Sequence, residues 1–172
     1  MEGMLKLTLR VWPPIVIALI SVALLVLPAA ALSITTASIT FPDVTLDGTD
    51  QTLTGSTSPW RADATGTADG WNVTVASSDF DNGAGRTIAV SNFEIRLLDA
   101  NIVVVSGDTN KPVSTQSTFT PLSGTALKIS SAAVGVGDGV YDLTPNFRLT
   151  VPAESFTGNY TATVTIATIV GP

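Results

Sequence analysis

The side chains that most often act as catalytic bases and nucleophiles are missing from this sequence. Its 172 residues include no histidine and no cysteine. That excludes a Ser-His-Asp triad, a thiolate nucleophile and a disulfide. Carboxylate pairs such as Asp79 with Asp81 remain, but they lie in a segment rich in turn-forming residues. We therefore expect no active site, no bound cofactor and a protein that is not an enzyme.

One short segment has the spacing of part of a calcium loop. Asp79, Asp81 and Asn82 supply carboxylate and amide oxygens, which are the ligands that calcium prefers. The later bidentate glutamate of a complete calcium loop does not follow them. Asp and Asn also form turns through their own side chains. The sequence therefore favours a turn at these weak calcium candidates.

Two tryptophans offer a different chemistry, the stacking of aromatic rings on sugars. Trp71 alternates with Val73 and Val75, which predicts a side chain in the core. Trp60 has an apolar neighbour on one side and a charged neighbour on the other, so its exposure stays open. A carbohydrate-binding module that uses Trp60 or other exposed aromatic residues is therefore one hypothesis, although aromatic residues make up only 6% of the chain and argue mildly against it.

The charge balance argues against nucleic acid as a partner. The chain has 8 Lys and Arg residues against 14 Asp and Glu residues, a formal net charge of −6. The basic residues of the second part of the chain are scattered singly, so no positive stripe could follow a phosphate backbone. The acidity is typical of a soluble exported domain.

The first 31 residues have the pattern of a secretory signal. Lys6 and Arg10 precede an uninterrupted apolar run from Ile15 to Leu27. Positive charge before the run and a long polar domain after it place the domain outside the cytoplasm. We expect an extracellular or cell-surface location.

Small residues after the apolar run mark the cleavage region. We expect signal peptidase to cut near Ala29, Ala31 and Leu32. Residues 1–31 would then be the signal peptide, and residues 32–172 the mature domain. An uncleaved membrane anchor stays open, because the uncharged stretch around the run is long enough to span a bilayer.

The mature part is predicted to consist of short strands separated by turns. Apolar residues alternate with polar ones, and pairs such as Asn82-Gly83 favour turns between the runs. The predicted strands lie at residues 71–76, 93–97, 101–105, 127–130, 146–151 and 159–170. In the last of them, Tyr160, Ala162, Val164, Ile166 and Val170 share the inward face.

This pattern predicts an all-β fold. Roughly eight to ten strands at this spacing indicate an antiparallel β-sandwich of immunoglobulin-like or jelly-roll-like type. It would follow the hydrophobic signal helix, and we expect no helix of normal length after Leu32.

Two stretches resemble the WxL-domain surface proteins of Gram-positive-type bacteria. The first is Trp71–Val75. The second is Leu149–Ala153, which continues into Phe156–Thr165. The resemblance implies a secreted, β-rich protein held non-covalently on the cell wall by peptidoglycan.

The family is named for two Trp-x-Leu motifs, and both positions depart from that pattern here. The first motif is Trp71-Asn72-Val73, and the second falls at Ile166-Ala167-Thr168. The resemblance makes Trp71, Val73, Ile166 and Thr168 the candidate wall-binding residues.

Three functional hypotheses follow. The first is a secreted, non-enzymatic surface protein that associates non-covalently with the cell wall or another envelope glycan. Its retention would come from the folded surface or an uncleaved N-terminus, because the chain ends soon after the last predicted strand. The second is a self-assembling filament or surface-layer subunit, in which residues 33–40 are donated to the next copy instead of pairing internally. The third is the carbohydrate-binding module.

Overall fold

The computed structural model describes residues 32–171, so the predicted signal, with Ala29 and Ala31, lies outside the described residues. The described part is an antiparallel β-sandwich, which confirms the predicted fold class. It has fourteen strands, more than the roughly eight to ten predicted, and nine of them have four residues or more. The strands are β1 (Ser33–Thr35), β2 (Gln51–Gly55), β3 (Trp60–Asp63), β4 (Trp71–Ser77), β5 (Phe80–Asp81), β6 (Thr87–Ile88), β7 (Phe93–Arg96), β8 (Ile102–Gly107), β9 (Val113–Ser114), β10 (Thr120–Pro121), β11 (Leu127–Ala132), β12 (Gly139–Leu143), β13 (Asn146–Val151) and β14 (Val164–Val170).

The strands form three four-stranded sheets and one hairpin. Sheet A has the order β1-β3-β12-β8, sheet B the order β10-β7-β13-β2, and sheet C the order β14-β4-β11-β9. The hairpin pairs β5 with β6. Helical structure in residues 32–171 is limited to two 3₁₀ turns, at Val90–Asn92 and Asp99–Asn101. Within residues 32–171, neither of these turns has the length or the hydropathy of a membrane-spanning helix.

Aromatic side chains join the sheets in the core. The ring centroids of Trp60 in sheet A and Phe147 in sheet B are 5.8 Å apart. Those of Trp71 in sheet C and Tyr141 in sheet A are 5.9 Å apart. These four side chains have no exposed surface, so the large apolar residues at alternate strand positions define one shared core.

Most predicted strands are confirmed to within two residues, and the last one is corrected. β14 begins only at Val164, because Thr161 pairs with Asp81 beside the hairpin instead of with β4. Tyr160, Ala162, Val164 and Ile166 are half-buried and pack against the core as predicted. Val170, which was predicted to face inward, is 55% exposed at the end of this edge strand.

The N-terminal arm, residues 32–46, pairs with its own domain in this structure. β1 pairs antiparallel with β3, and Ser33 lies opposite Asp63. Thr40 and Ser56 exchange two backbone hydrogen bonds of 3.0 Å each. The segment that the strand-donation hypothesis would send to another copy is therefore paired within its own domain here.

Candidate functional site

The described chain has an open groove of about 1180 Å³. One side is formed by the N-terminal arm between Thr36 and Leu46, and another by residues 156–162. Its floor consists of apolar side chains from four strands and the hairpin: Leu53, Phe80, Ile88, Phe93, Leu149, Val151, Val164 and Ile166. A concave, mainly apolar surface with a few polar groups is the usual form of a binding site.

A cluster of phenylalanine rings supports the floor. Phe93 packs edge-on against Phe41 and Phe80, with ring centroids 5.9 Å and 5.3 Å apart. Phe41 fits into a space left by Gly55, where an added Cβ would lie 2.7 Å from two carbons of its ring. Glycine at position 55 therefore lets the arm close down on sheet B and form the side of the groove.

The groove carries little charge. Among the described residues that line it, Asp43 alone is charged, and hydroxyl and amide side chains occupy much of the rim. The polar rim residues are Thr36, Ser38, Thr45, Thr157, Asn159 and Thr161. Such a rim offers hydrogen bonds without attracting ions of either sign.

Phe156 and Tyr160 form an aromatic ridge at one end of the groove. Phe156 is 54% exposed, and the guanidinium carbon of Arg86 lies 3.8 Å from its ring centroid. The Tyr160 hydroxyl donates a 3.1 Å hydrogen bond to the Phe156 carbonyl. Phe156 and Tyr160 also line a second cavity of about 440 Å³, which includes Arg86 and Glu154. The ridge thus places two rings between two concave surfaces.

The free edge of β14 lies along the same groove. Ser78 donates to the Thr163 carbonyl and Gly171 donates to the Gly70 carbonyl, so the odd-numbered residues of β14 bond to β4. The backbone groups of the even-numbered residues, Val164, Ile166, Thr168 and Val170, therefore point away from the sheet. This edge contains no proline, no charged residue and no register shift against β4. It could accept a further strand.

The weak calcium candidates form turn contacts. The Asp79 carboxylate accepts from the Val90 amide at 2.8 Å, and the Asp81 carboxylate accepts from the Gly83 amide at 2.7 Å. The Asn82 carbonyl oxygen accepts from two further backbone amides, at 2.9 Å and 3.1 Å. No group of three or more acidic residues converges within residues 32–171. These side chains hold the hairpin that brings Phe80 and Ile88 to the groove.

The four wall-binding candidates come together on neighbouring strands. Thr168 in β14 lies opposite Val73 in β4, and Val170 lies opposite Trp71. Trp71 and Val73 are completely buried, and the Trp71 indole N–H donates to the Gly137 carbonyl at 2.9 Å. Of the four, only Ile166 lines the groove. The first motif therefore builds the core and does not present its side chains to a ligand.

Trp60 is also a core residue. It has no exposed surface, so it cannot stack on a sugar, and the hypothesis of a carbohydrate platform at Trp60 is wrong. The exposed aromatic group is instead Phe156, with the half-buried Tyr160 beside it. The signal for this ridge in the sequence was an aromatic residue on each side of Gly158, in a segment with few other apolar residues.

The fold and the site define an all-β domain with an open groove that has an apolar floor and a polar rim. No protein-family model matches the chain, and no curated protein matches it significantly. A family 123 glycoside hydrolase from Clostridium perfringens is similar at 16% sequence identity and a TM-score of 0.38, over 71% of this chain and 19% of that chain. This chain thus spans about a fifth of that enzyme, and a TM-score this low establishes no common activity.

Proposed function

We propose that this chain is an exported, non-enzymatic cell-surface protein that associates non-covalently with the cell envelope by binding a glycan in the groove. The observation on which the proposal rests is the open groove with its aromatic ridge at Phe156 and Tyr160. Export is supported by the signal-like first 31 residues. The predicted cleavage region reaches Leu32, immediately before the first described strand.

The chemistry of the groove favours an uncharged glycan. Sugar rings have apolar faces that pack against aromatic rings, and hydroxyl groups that bond to threonine and asparagine side chains. Phe156 is held by the Arg86 guanidinium and Tyr160 is tied to its carbonyl, so the ridge is ordered before a ligand arrives. An ordered site loses little conformational entropy on binding.

A distant relationship to the WxL-domain proteins is part of the proposal. Its support is that the two motif positions lie on the paired strands β4 and β14. The buried Trp71 and Val73 would then preserve the fold, while β14 contributes Ile166 to the groove.

A pull-down with purified sacculi tests the proposal. We expect the full chain to be retained by the sacculi, and Phe156→Ala to weaken retention about threefold to tenfold, because one aromatic stacking contact is lost. Val134→Ala is the matched control, since Val134 is 66% exposed and does not line the groove. Absence of wild-type binding, or equal retention of both variants, would contradict the proposal.

A second candidate function is self-assembly by strand addition, and the free edge of β14 favours it. A strand donated by a second copy would bond to the outward backbone groups of β14 and place alternate side chains in the groove. Because β1 pairs internally here, the donor strand must leave its own domain first.

Thr168→Pro tests this second candidate. The Thr168 amide points outward, so proline there blocks an added strand without removing a bond to β4. We expect electron micrographs of the wild type to show filaments, and those of Thr168→Pro to show isolated particles with a similar melting temperature. Thr165→Pro is the control, and it should melt lower because its amide faces β4. Unchanged filaments in Thr168→Pro, or a wild type without any, would exclude strand addition at β14.

A further inference from the structure

Sheet B presents two arginines on its solvent-facing side, away from the groove. The buried positions of β7 and β13 are Phe93, Ile95, Phe147, Leu149 and Val151. The alternate positions, which face outward, include Glu94 and Arg96 in β7 and Asn146 and Arg148 in β13. Asn146 lies opposite Arg96, and Arg148 opposite Glu94. Arg96 and Arg148 are therefore diagonal neighbours on one face.

A single aromatic ring holds both guanidinium groups. The guanidinium carbons of Arg96 and Arg148 each lie 4.5 Å from the ring centroid of Phe119. Cation–π contact at this distance fixes the plane of a guanidinium group and leaves its N–H donors free at the edges.

The positive charge on this face is only partly neutralised. Glu94 accepts from Nε of Arg148 at 2.5 Å, which leaves the terminal amino groups of that side chain without a carboxylate partner. Arg96 has no salt bridge within the described part of the chain, and its Nε is buried without a hydrogen-bond partner. One carboxylate thus faces two guanidinium groups, on a protein whose formal net charge is −6.

We propose that Arg96 and Arg148 form a binding site for an anionic group, a phosphate or a carboxylate, of an acidic polymer. Guanidinium groups bind both kinds of oxygen with paired, charge-assisted hydrogen bonds. Because the Nε of Arg96 is itself buried, the anion accepts from the terminal amino groups of that side chain. The site is separate from the groove and uses none of its residues.

Direct binding measurements on the full chain test this site. The two probes are a linear glycerol phosphate polymer and a linear polyuronate, which offer phosphodiester and carboxylate groups respectively. Arg96→Gln and Arg148→Gln remove one positive charge each. Arg61→Gln is the matched control, because Arg61 already donates two 2.8 Å hydrogen bonds to Asp142 on sheet A. Val134→Ala is a second control, because Val134 is 66% exposed and does not line the groove.

We expect the wild type to bind at least one polymer, with an affinity that falls as salt is added. Arg96→Gln should weaken binding about tenfold, the loss expected for one charge-assisted hydrogen bond of about 1.5 kcal/mol. Arg61→Gln and Val134→Ala should stay within about twofold of the wild type, a difference well below the tenfold expected for such a bond. Binding to one polymer identifies the anion, and binding to both indicates general anion recognition.

Two results would overturn the site. One is absence of binding to either polymer. The other is an equal loss of affinity in Arg96→Gln and Arg61→Gln, which would show that binding depends only on the overall charge of the protein. Arg96→Lys distinguishes loss of the site from misfolding, because it keeps the charge but loses the planar, paired donors. It should melt near the wild type and still bind several-fold more weakly.

Discussion

Gly55 is the residue on which the closure of the groove depends most directly. A methyl group at this position would lie 2.7 Å from the Phe41 ring. We expect Gly55→Ala to lower the free energy of unfolding by about 1–3 kcal/mol, the usual cost of overpacking, and to displace Phe41 from the side of the groove. Chemical denaturation measures the effect.

Gly124→Ala is the matched control for Gly55→Ala. No atom lies within 4 Å of a Cβ built at Gly124, and its φ is not positive. We expect this control to change stability by about 0.5 kcal/mol or less. Equal stability of the two variants would show that Phe41 does not fill the space beside Gly55.

The two buried tryptophans differ in one hydrogen bond. The Trp71 indole N–H donates to the Gly137 carbonyl, whereas the Trp60 indole N–H has no partner in the described structure. Both side chains have no exposed surface. We therefore expect Trp71→Phe to lose about 1–2 kcal/mol more unfolding free energy than Trp60→Phe, because only the former leaves a buried carbonyl without its donor. Thermal unfolding of the two variants checks this. A larger loss in Trp60→Phe would show that the hydrogen bond from Trp71 to Gly137 does not stabilise the fold.

At the scale of elements, the β5–β6 hairpin is held by side-chain turns. Asp79, Asp81 and Asn82 each accept from backbone amides around it. We expect Asn82→Ala to lower the free energy of unfolding by about 0.5–2 kcal/mol, as for a lost capping interaction. Thermal unfolding measures this loss. Thermal unfolding of the wild type with calcium or with a chelator should give the same melting temperature. A calcium-dependent rise would instead assign a metal to these oxygens.

The strands were predictable from alternation, and their pairing was not. Period-two patterns located β4, β7 and β13 because each strand has one face in the core. The same pattern extended β14 too far, since Tyr160 and Ala162 alternate like strand residues but belong to the wall of the groove. Contacts such as Thr161 with Asp81 join residues far apart in sequence, and no local pattern encodes them.

The candidate site was less predictable than the fold. Trp60 and Trp71 attracted the functional hypotheses because large aromatic rings can bind ligands, but the fold needs both in its core. Phe156 is the exposed ring, and its exposure results from the position of its loop relative to the arm and sheet B. The groove is made by elements more than one hundred residues apart, so only the assembled fold reveals it.

At the scale of the whole molecule, acid should weaken the fold. The pKa of Asp142 is lowered by its hydrogen bond to Arg61, and the pKa of Asp47 and Asp63 is lowered by hydrogen bonds to Thr49 and Thr65. A lowered pKa in the folded state means that the unfolded state binds protons first as pH falls. The stabilisation is therefore present above the ordinary aspartate pKa, near 3.8, and is lost as pH falls through the lowered values.

Melting temperatures across the acid range test this linkage. We expect the wild type to lose stability steeply below about pH 4, the ordinary range of aspartate titration. Asp142→Asn should start less stable near neutral pH and fall less steeply, because it cannot titrate. Parallel curves for the two proteins would show that the pair between Arg61 and Asp142 adds nothing to the pH dependence.

For the whole molecule, we propose that the groove binds an uncharged envelope glycan. The most direct measurement is the affinity of the full chain for purified sacculi at high salt, where contacts made by the arginines on sheet B are screened. We expect binding that survives salt, weakens about threefold to tenfold in Phe156→Ala and is unchanged in Arg96→Gln. Binding that disappears at high salt, or that Phe156→Ala leaves intact, would contradict it.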